Sequence, residues 1–195
     1  MSLILASASS SRKMLLTAAG VSFTADPADL DEAALMAELK EAGAEAMARS
    51  LAERKALAVS HRHSGKFVLG GDSVIAFEGD HLSKCTSLEE ARALLARLSG
   101  KTHLLVSTAA LARDGALLWT HASPCRMAMR NLSPQFLDDY LAKEGQAILS
   151  SVGCYHFEGR GAQLFAKVDG DYFSVLGLPL LAVLAQLRKE GLLAS

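Results

Sequence analysis

Hydrophobic and polar positions come in short blocks along the chain, and these blocks predict alternating strands and helices. An apolar run at residues 3–6 predicts a buried strand, and the amphipathic pattern from Ser9 onward predicts a helix that ends at Gly20. Segments 31–42 and 44–60 are rich in Ala, Leu, Glu and Met. Because these residue types favour helix, two further helices are predicted there.

Strand-like segments dominate the middle of the chain. Residues 67–69 and 74–77 are predicted as two strand segments on either side of a polar Gly-Gly-Asp-Ser insert. A capping box that begins at Ser87 predicts a helix that ends at Gly100. Two long extended runs then flank an Asp-Gly pair at residues 114–115, which is typical of a hairpin turn.

The C-terminal part of the chain continues this mixture of elements. A Ser-Pro start predicts a helix at residues 133–144, and three glycines within residues 151–161 indicate a structured loop. A strand at 163–168 and a closing helix at 178–189 are predicted next. Interleaved helices and strands with an antiparallel hairpin predict a single mixed α/β domain over residues 1–195.

Composition and charge narrow the classes of ligand. Half of the 195 residues are hydrophobic, which suits a sizeable core, and 20 basic residues oppose 21 acidic ones for a net charge of −1. Non-specific binding to a nucleic-acid polymer needs a broad basic field, so this near balance argues against it. An anionic ligand should therefore be small, such as a nucleotide.

Cysteine usage and hydropathy indicate the compartment. Cys85, Cys125 and Cys154 are far apart and form no Cys-x-x-Cys pair, which argues against a zinc site or a disulfide framework. The chain shows no signal-peptide pattern at its start and no run of about 18 apolar residues that would span a bilayer. We therefore expect a soluble cytoplasmic protein with no membrane partner.

The first candidate site is the serine-rich start of the first predicted helix. Ser7, Ser9 and Arg12 lie where a helix N-terminus presents unpaired backbone N–H groups. Hydroxyl donors, backbone amides and a guanidinium together suit a phosphate group. The alternative is an ordinary helix capped by serine, because serine is a favoured N-cap residue.

Carboxylates and lysines supply further candidates. Asp72 lies between glycine and serine in strand-like sequence, where it either binds a divalent metal or water, or satisfies its own backbone in a turn. Lys55 and Lys84 either neutralise phosphate oxygens or are solvated. Asp31 and Glu32 are either a capping pair or include a second metal-binding carboxylate.

Known phosphate and nucleophile motifs are missing from the sequence. It contains no G-x-x-x-x-G-K-[ST] P-loop, no G-x-G-x-x-G after a strand and no G-x-S-x-G elbow. The six histidines show no metal-ligand spacing. Any phosphate site therefore uses another arrangement.

Several motifs occur in the order found in one known family. Residues 5–12 resemble the L-A-S-x-S-P-R-R opening of the Maf proteins, which are nucleoside triphosphate pyrophosphatases once described as septum-formation inhibitors. The other matching segments are Asp-Glu at 31–32, Leu-Ala-x-x-Lys-Ala at 51–56, Gly-Asp-Ser at 71–73, Ser-Lys-Cys at 83–85, the glycine-rich loop at 151–161 and the Gly-Leu-Pro ending of 170–179. The resemblance covers nearly the whole chain.

This resemblance implies a fold and a reaction. The fold would be α/β, with a mixed twisted sheet flanked by helices and two lobes around a central cleft, similar to Maf and ITPase proteins. The reaction would convert a nucleoside triphosphate into a monophosphate and pyrophosphate, which removes modified nucleotides from the pool. A homodimer is common in the family.

The resemblance also implies roles for individual residues. Asp72 would be catalytic, activating or positioning water, and Glu32 would help Asp72 hold Mg²⁺ or Mn²⁺. The implied substrate-binding residues are Ser7, Ser9, Arg12, Lys55 and Lys84.

Departures from the family pattern bear on substrate choice. Ser10 and Cys85 each stand where the family has proline, and the specificity positions hold Ser11, Ser73 and Glu158. The carboxylate of Glu158 favours the branch that acts on 7-methyl-GTP, a cationic purine. The two serines match neither branch, so a dTTP/UTP or broad-specificity pyrophosphatase is the alternative. A different class of protein, a nucleotide-binding regulator of cell division with little turnover, is a further alternative.

Overall fold

The computed structural model describes residues 2–194, and within them seven strands and seven α-helices are interspersed along the chain. The strands are β1 (Leu3–Leu5), β2 (Phe23–Ala25), β3 (Phe67–Phe77), β4 (Asp80–His81), β5 (Thr102–Arg113), β6 (Ala116–Met129) and β7 (Phe165–Asp169). The helices are α1 (Ser10–Ala18), α2 (Glu32–Glu38), α3 (Ala44–Ser60), α4 (Leu88–Leu98), α5 (Pro134–Glu144), α6 (Tyr172–Val175) and α7 (Leu180–Lys189).

The strands form one mixed sheet in the order β2-β1-β3-β5-β6-β7, with β4 paired to β3. β1 pairs in parallel with both β2 and β3, whereas β4 and β7 pair antiparallel with β3 and β6. β5 and β6 are joined by Asp114 and Gly115, which both have positive φ. Such a two-residue turn suits a hairpin, so the predicted hairpin and the mixed α/β class are confirmed.

The chain divides into two compact units. The first comprises residues 2–73, Val106–Pro124 and 171–194 of the described chain, and the second comprises Val74–Leu105 and Cys125–Gly170. The single domain over 1–195 and the central cleft stay predictions.

In the first unit, α3 packs closely against the sheet through small residues. Ala52 and Ala56 of α3 lie in one buried cluster with Ala110 and Ala112 of β5. A Cβ atom on Gly70 of β3 would lie 2.7 Å from the backbone nitrogen of Ala56. Glycine at this position therefore allows strand and helix backbones to approach each other.

The second unit contains a buried aromatic group. His103 of β5 lies 2.8 Å from the hydroxyl oxygen of Tyr155, measured from its Nε2 atom, and Tyr155 packs edge-on against Phe165 with ring centroids 4.9 Å apart. His103 is 2% exposed and Tyr155 is 5% exposed. Burial raises the pKa of the Tyr155 phenol, so this hydroxyl stays protonated.

The structure corrects several element boundaries. Segments 67–69 and 74–77 are not separate, because β3 continues through the Gly-Gly-Asp-Ser residues. The turn alternative for Asp72 is therefore wrong. The helix predicted at 31–42 is shorter, since α2 ends at Glu38. The predicted loop at 151–161 extends into a short 3₁₀-helix at Arg160–Leu164.

Four short elements were not predicted from the sequence: β2, β4, α6 and a 3₁₀-helix at Gly145–Ser150. Each has six residues or fewer, which is too short for a periodic pattern to emerge.

None of the helices in residues 2–194 combines the length and the hydropathy that a membrane span needs. The cytoplasmic location and the homodimer stay predictions.

Candidate active site

The N-terminus of α1 follows directly from the end of β1. Ser9 is the N-cap, and its Oγ accepts from the backbone N–H of Arg12 at 3.4 Å. Ser7 Oγ accepts from the backbone N–H of Ser9 at 3.3 Å. The capping alternative therefore applies to Ser9, while a phosphate role for both hydroxyls stays a prediction.

Arg12 is 8% exposed, and its guanidinium is held from three directions. Nε donates to the carbonyl oxygen of Gly177 at 2.8 Å, Nη1 to Ser7 Oγ at 3.2 Å and Nη2 to Ser73 Oγ at 3.1 Å. All three of these partners are uncharged. Arg12 thus presents a fixed positive charge that these contacts do not neutralise.

Burial lowers the pKa of Arg12, and the negative charges of Asp72 and Glu32 oppose that shift. An arginine side chain keeps its proton in proteins, so the guanidinium stays charged. The two carboxylates also contribute a favourable field at its position.

Successive residues of β3 face opposite sides of the sheet, as strand geometry requires. Gly70 approaches the backbone of α3, and the next residue on that face, Asp72, contacts Lys55 of the same helix. Gly71 and Ser73 lie on the other face, against Arg12. β3 therefore displays its carboxylate on one face and receives the guanidinium on the other.

Lys55 joins two carboxylates. Its Nζ lies 2.6 Å from Asp72 Oδ1 and 2.9 Å from Glu32 Oε1. The side chains of Lys55 and Asp72 are 9% and 10% exposed, whereas that of Glu32 is 54% exposed. One positive and two negative charges leave these three side chains with one excess negative charge, and the positive charge of Arg12 interacts with both carboxylates.

The alternatives for Asp31 and Glu32 are resolved into separate contacts. Asp31 caps α2, because its Oδ1 accepts from the backbone N–H of Ala34 at 3.0 Å. Glu32, the first residue of α2, contacts Lys55 instead. No group of three or more His, Cys, Asp or Glu side chains in residues 2–194 is arranged to hold a metal ion.

The remaining candidate residues lie elsewhere. Ser11 is half-buried in α1. Lys84 is exposed in the irregular segment after β4, and Glu158 is exposed in a turn, both within the second unit. Their roles, like those of Asp72, Lys55, Arg12 and Glu32, stay predictions at this point.

Two contacts of Arg12 were missed at the sequence level. Gly177 supplies a carbonyl oxygen from 165 residues further along the chain, and Ser73 had been considered only as a specificity position. The Gly-Leu-Pro ending pointed to the Gly177 region without indicating this contact.

A family model described as Maf-like protein matches residues 2–190. The chain belongs to the Maf family. A Brucella abortus relative named 7-methyl-GTP pyrophosphatase is 47% identical over 190 residues, which cover 96% of each chain. A Mesorhizobium japonicum relative with the same name is 48% identical over 191 residues, covering 97% of this chain and 96% of that one.

Another Maf relative carries a broader name. A Granulibacter bethesdensis protein named nucleoside triphosphate pyrophosphatase is 45% identical over 193 residues, covering 97% of this chain and 98% of that one. Among solved structures, a nucleoside-triphosphatase / dITP/XTP pyrophosphatase from Mycobacterium abscessus has a TM-score of 0.40 and 17% identity, covering 77% of this chain and 97% of that chain.

Proposed function

We propose that this Maf protein is a nucleoside triphosphate pyrophosphatase, a hydrolase that releases pyrophosphate and leaves a nucleoside monophosphate. The names of relatives that are 45–48% identical over nearly the whole chain support this activity. The structural observation that carries the proposal is the Lys55 ammonium, which contacts both Asp72 and Glu32. The buried guanidinium of Arg12 lies against the other face of β3, the strand that carries Asp72. Phosphoanhydride hydrolysis needs cations for the phosphate oxygens and a group that positions water, and these side chains would supply both.

The phosphate tail would lie where β1 ends and β3 continues. β1 ends at Leu5, opposite Leu69, and the chain then turns into the loop that starts α1. In open α/β sheets, ligands bind outside the carboxyl ends of parallel strands. Arg12 and Lys55 would bind phosphate oxygens there, and Ser7, Ser9 and the first backbone N–H groups of α1 would complete the site.

Asp72 would activate or position the attacking water. It is the carboxylate of this cluster that is nine-tenths buried, so its position is well fixed. A positioned carboxylate that accepts a proton contributes roughly 10²- to 10⁴-fold to a rate. Lys84 lies in the second unit, and its phosphate-binding role stays a prediction.

A divalent cation fits the donor set of Asp72 and Glu32. Oxygen atoms of both carboxylates contact Lys55 Nζ, so the two acidic side chains lie near one another. Mg²⁺ is commonly held by one or two carboxylates together with water and substrate phosphates, and it does not require a third protein ligand. When bound, Mg²⁺ or Mn²⁺ would neutralise charge on the phosphate chain.

7-Methyl-GTP is the proposed substrate. Two kinds of support agree: the names of the Brucella and Mesorhizobium relatives, and the carboxylate of Glu158, which suits a positively charged methylated purine. The broader name of the Granulibacter relative supports a wider range of nucleotides as the alternative.

The proposal is tested by measuring pyrophosphate release from a panel of standard and methylated nucleoside triphosphates with Mg²⁺ and with Mn²⁺. We expect release to be fastest with 7-methyl-GTP and to be abolished in Asp72→Asn. Asp138→Asn is the matched control, because Asp138 is an exposed aspartate paired with Arg92 in the second unit. Nucleotide binding without turnover would contradict the enzyme and favour the regulator.

Glu158→Gln tests the substrate assignment separately. If the carboxylate binds the methylated base, this variant loses activity on 7-methyl-GTP selectively. An equal loss on every nucleotide would show that Glu158 does not distinguish the base.

A further inference from the structure

A chain of hydroxyl groups runs from Arg12 to the segment that carries Gly177. Arg12 Nη2 lies 3.1 Å from Ser73 Oγ, which lies 2.8 Å from Ser107 Oγ. Ser107 Oγ in turn lies 2.6 Å from the backbone carbonyl oxygen of Ser174. Ser107 and Ser174 are both 0% exposed, so this end of the chain is screened from water, whereas Ser73 is half-buried.

Elementary hydrogen-bond chemistry fixes the direction of each contact. A carbonyl oxygen only accepts, so the Ser107 hydroxyl donates its single proton to Ser174. Ser107 then accepts from Ser73, and the proton of the Ser73 hydroxyl is used in that contact. The lone pairs of Ser73 are therefore the acceptor for Arg12. Each hydroxyl donates once and accepts once, and such chains polarise their members cooperatively.

The far end of this chain is anchored in the same unit. Asp171 Oδ2 accepts from the backbone N–H of Ser174 at 2.8 Å and from its hydroxyl at 2.6 Å. Gly177, three residues after Ser174, accepts from Arg12 Nε. The segment 171–177 thus contacts Nε of the guanidinium directly through Gly177. It contacts Nη2 indirectly, through Ser107 and Ser73.

The three contacts of Arg12 leave a defined pair of donors. A guanidinium has five N–H groups, and within the described residues Gly177, Ser7 and Ser73 use one on each nitrogen. Nη1 and Nη2 each retain one further N–H. Two such donors on neighbouring nitrogens suit two oxygens of a phosphate group.

We propose that Ser107 is a positioning residue for phosphate binding: by accepting from Ser73, it fixes the acceptor that orients the Arg12 guanidinium. Ser107 is buried and acts only through Ser73 and Arg12. The inference rests on the proposed phosphate-binding role of Arg12, and it goes further by assigning a function to a residue that contacts no substrate.

The test measures binding of inorganic tripolyphosphate by titration calorimetry, with Ser107→Ala and Arg12→Ala combined in a double-mutant cycle. We expect Ser107→Ala to weaken binding about tenfold in the native background and less than twofold in the Arg12→Ala background. Thr108→Val is the matched control. Thr108 is also 0% exposed in β5, and its Oγ1 has no hydrogen-bond partner within the described chain. The Thr108→Val variant should bind tripolyphosphate as the native protein does.

Each outcome decides the proposal. Equal losses in both backgrounds, no loss, or a native protein that fails to bind tripolyphosphate would overturn it. If Ser107→Ala does not fold, Ser107→Cys leaves no cavity, provides a poor acceptor and should give the same pattern. Coupled losses of binding in a protein that releases no pyrophosphate from any nucleotide would support the role of Ser107 while contradicting the proposed function.

Discussion

The Nζ atom of Lys55 lies 2.6 Å from Oδ1 of Asp72, and both side chains are about nine-tenths buried. The contact follows from two regular spacings. Lys55 lies three residues after Ala52 on one face of α3, and Ala52 meets β3 at Gly70. Asp72 is two residues further along the same face of that strand. The ion pair therefore follows from the packing of α3 on β3, and the proposed function uses the same two side chains.

Removing one partner of this pair should destabilise the protein. Lys55→Met leaves Asp72 as a buried carboxylate without its ammonium partner, and we expect a loss of roughly 3 kcal/mol in the free energy of unfolding. Lys55→Met combined with Asp72→Leu should lose less than Lys55→Met alone, because two apolar residues need no charge partner. Urea denaturation followed by circular dichroism measures both.

The double variant separates stability from activity. It should release no pyrophosphate although it is more stable than the single variant. If the losses of the two single substitutions simply add in the double variant, the pair does not interact as its 2.6 Å separation indicates.

Local signals predicted the first helix well. Ser9 caps α1, and Gly20 has a φ of 71° just beyond its end, as the cap and stop signals indicated. The continuity of β3 was not predicted, because consecutive glycines usually interrupt strands. Gly70 and Gly71 are needed for contacts with α3 and Arg12, which are tertiary contacts that no local pattern contains.

In the candidate site, too, some residues have a local sequence signal and others are recognised only from tertiary contacts. The residues brought together in the first unit, Arg12, Lys55, Asp72 and Glu32, were named from motifs in the sequence. The contacts that support them were not predicted, because Ser107 belongs to no motif and the Gly-Leu-Pro motif that contains Gly177 does not indicate a contact with Arg12. They become informative only when segments 34 to 165 residues apart meet.

A methyl group on Gly71 should impair activity more than stability. The added Cβ would lie 3.0 Å from Arg12 Nε and 3.3 Å from its Cδ, so the guanidinium would have to shift by a few tenths of an ångström. Because three hydrogen bonds fix that group, we expect Gly71→Ala to raise KM about tenfold at a cost of roughly 1 kcal/mol in stability. Steady-state kinetics and urea denaturation check this, and an unchanged KM would contradict it.

The neighbouring Gly70 should behave in the opposite manner. Its added Cβ would lie 2.7 Å from the backbone nitrogen of Ala56, and a helix backbone cannot move as a side chain can. Gly70→Ala should therefore destabilise the protein by about 3 kcal/mol or more. Gly43→Ala is the control, because nothing lies within 4 Å of its added Cβ and its φ is −64°. Similar midpoints for both variants in thermal denaturation would refute the close approach of β3 and α3.

Acid should weaken the second unit through His103. Burial lowers the pKa of His103 to about 4, and its Nδ1 lacks a hydrogen-bond partner within the described chain. In the unfolded chain an ordinary histidine pKa near 6.5 applies, so below that pH the unfolded state binds the proton first. Stability is therefore fully present above pH 6.5 and is lost as the pH falls from 6.5 towards 4.

His103→Gln isolates this effect, because glutamine does not titrate and retains an amide able to bond the Tyr155 hydroxyl. Between pH 7 and pH 5 the native protein should lose roughly 2 kcal/mol more unfolding free energy than the variant. This value follows because pH 5 is about 1.5 units below the ordinary histidine pKa, and each unit is worth about 1.4 kcal/mol. Urea titrations at both pH values measure the difference, in which all other titrating groups cancel. Equal losses in the two proteins would mean that His103 accepts its proton while folded, and that its burial does not keep it neutral.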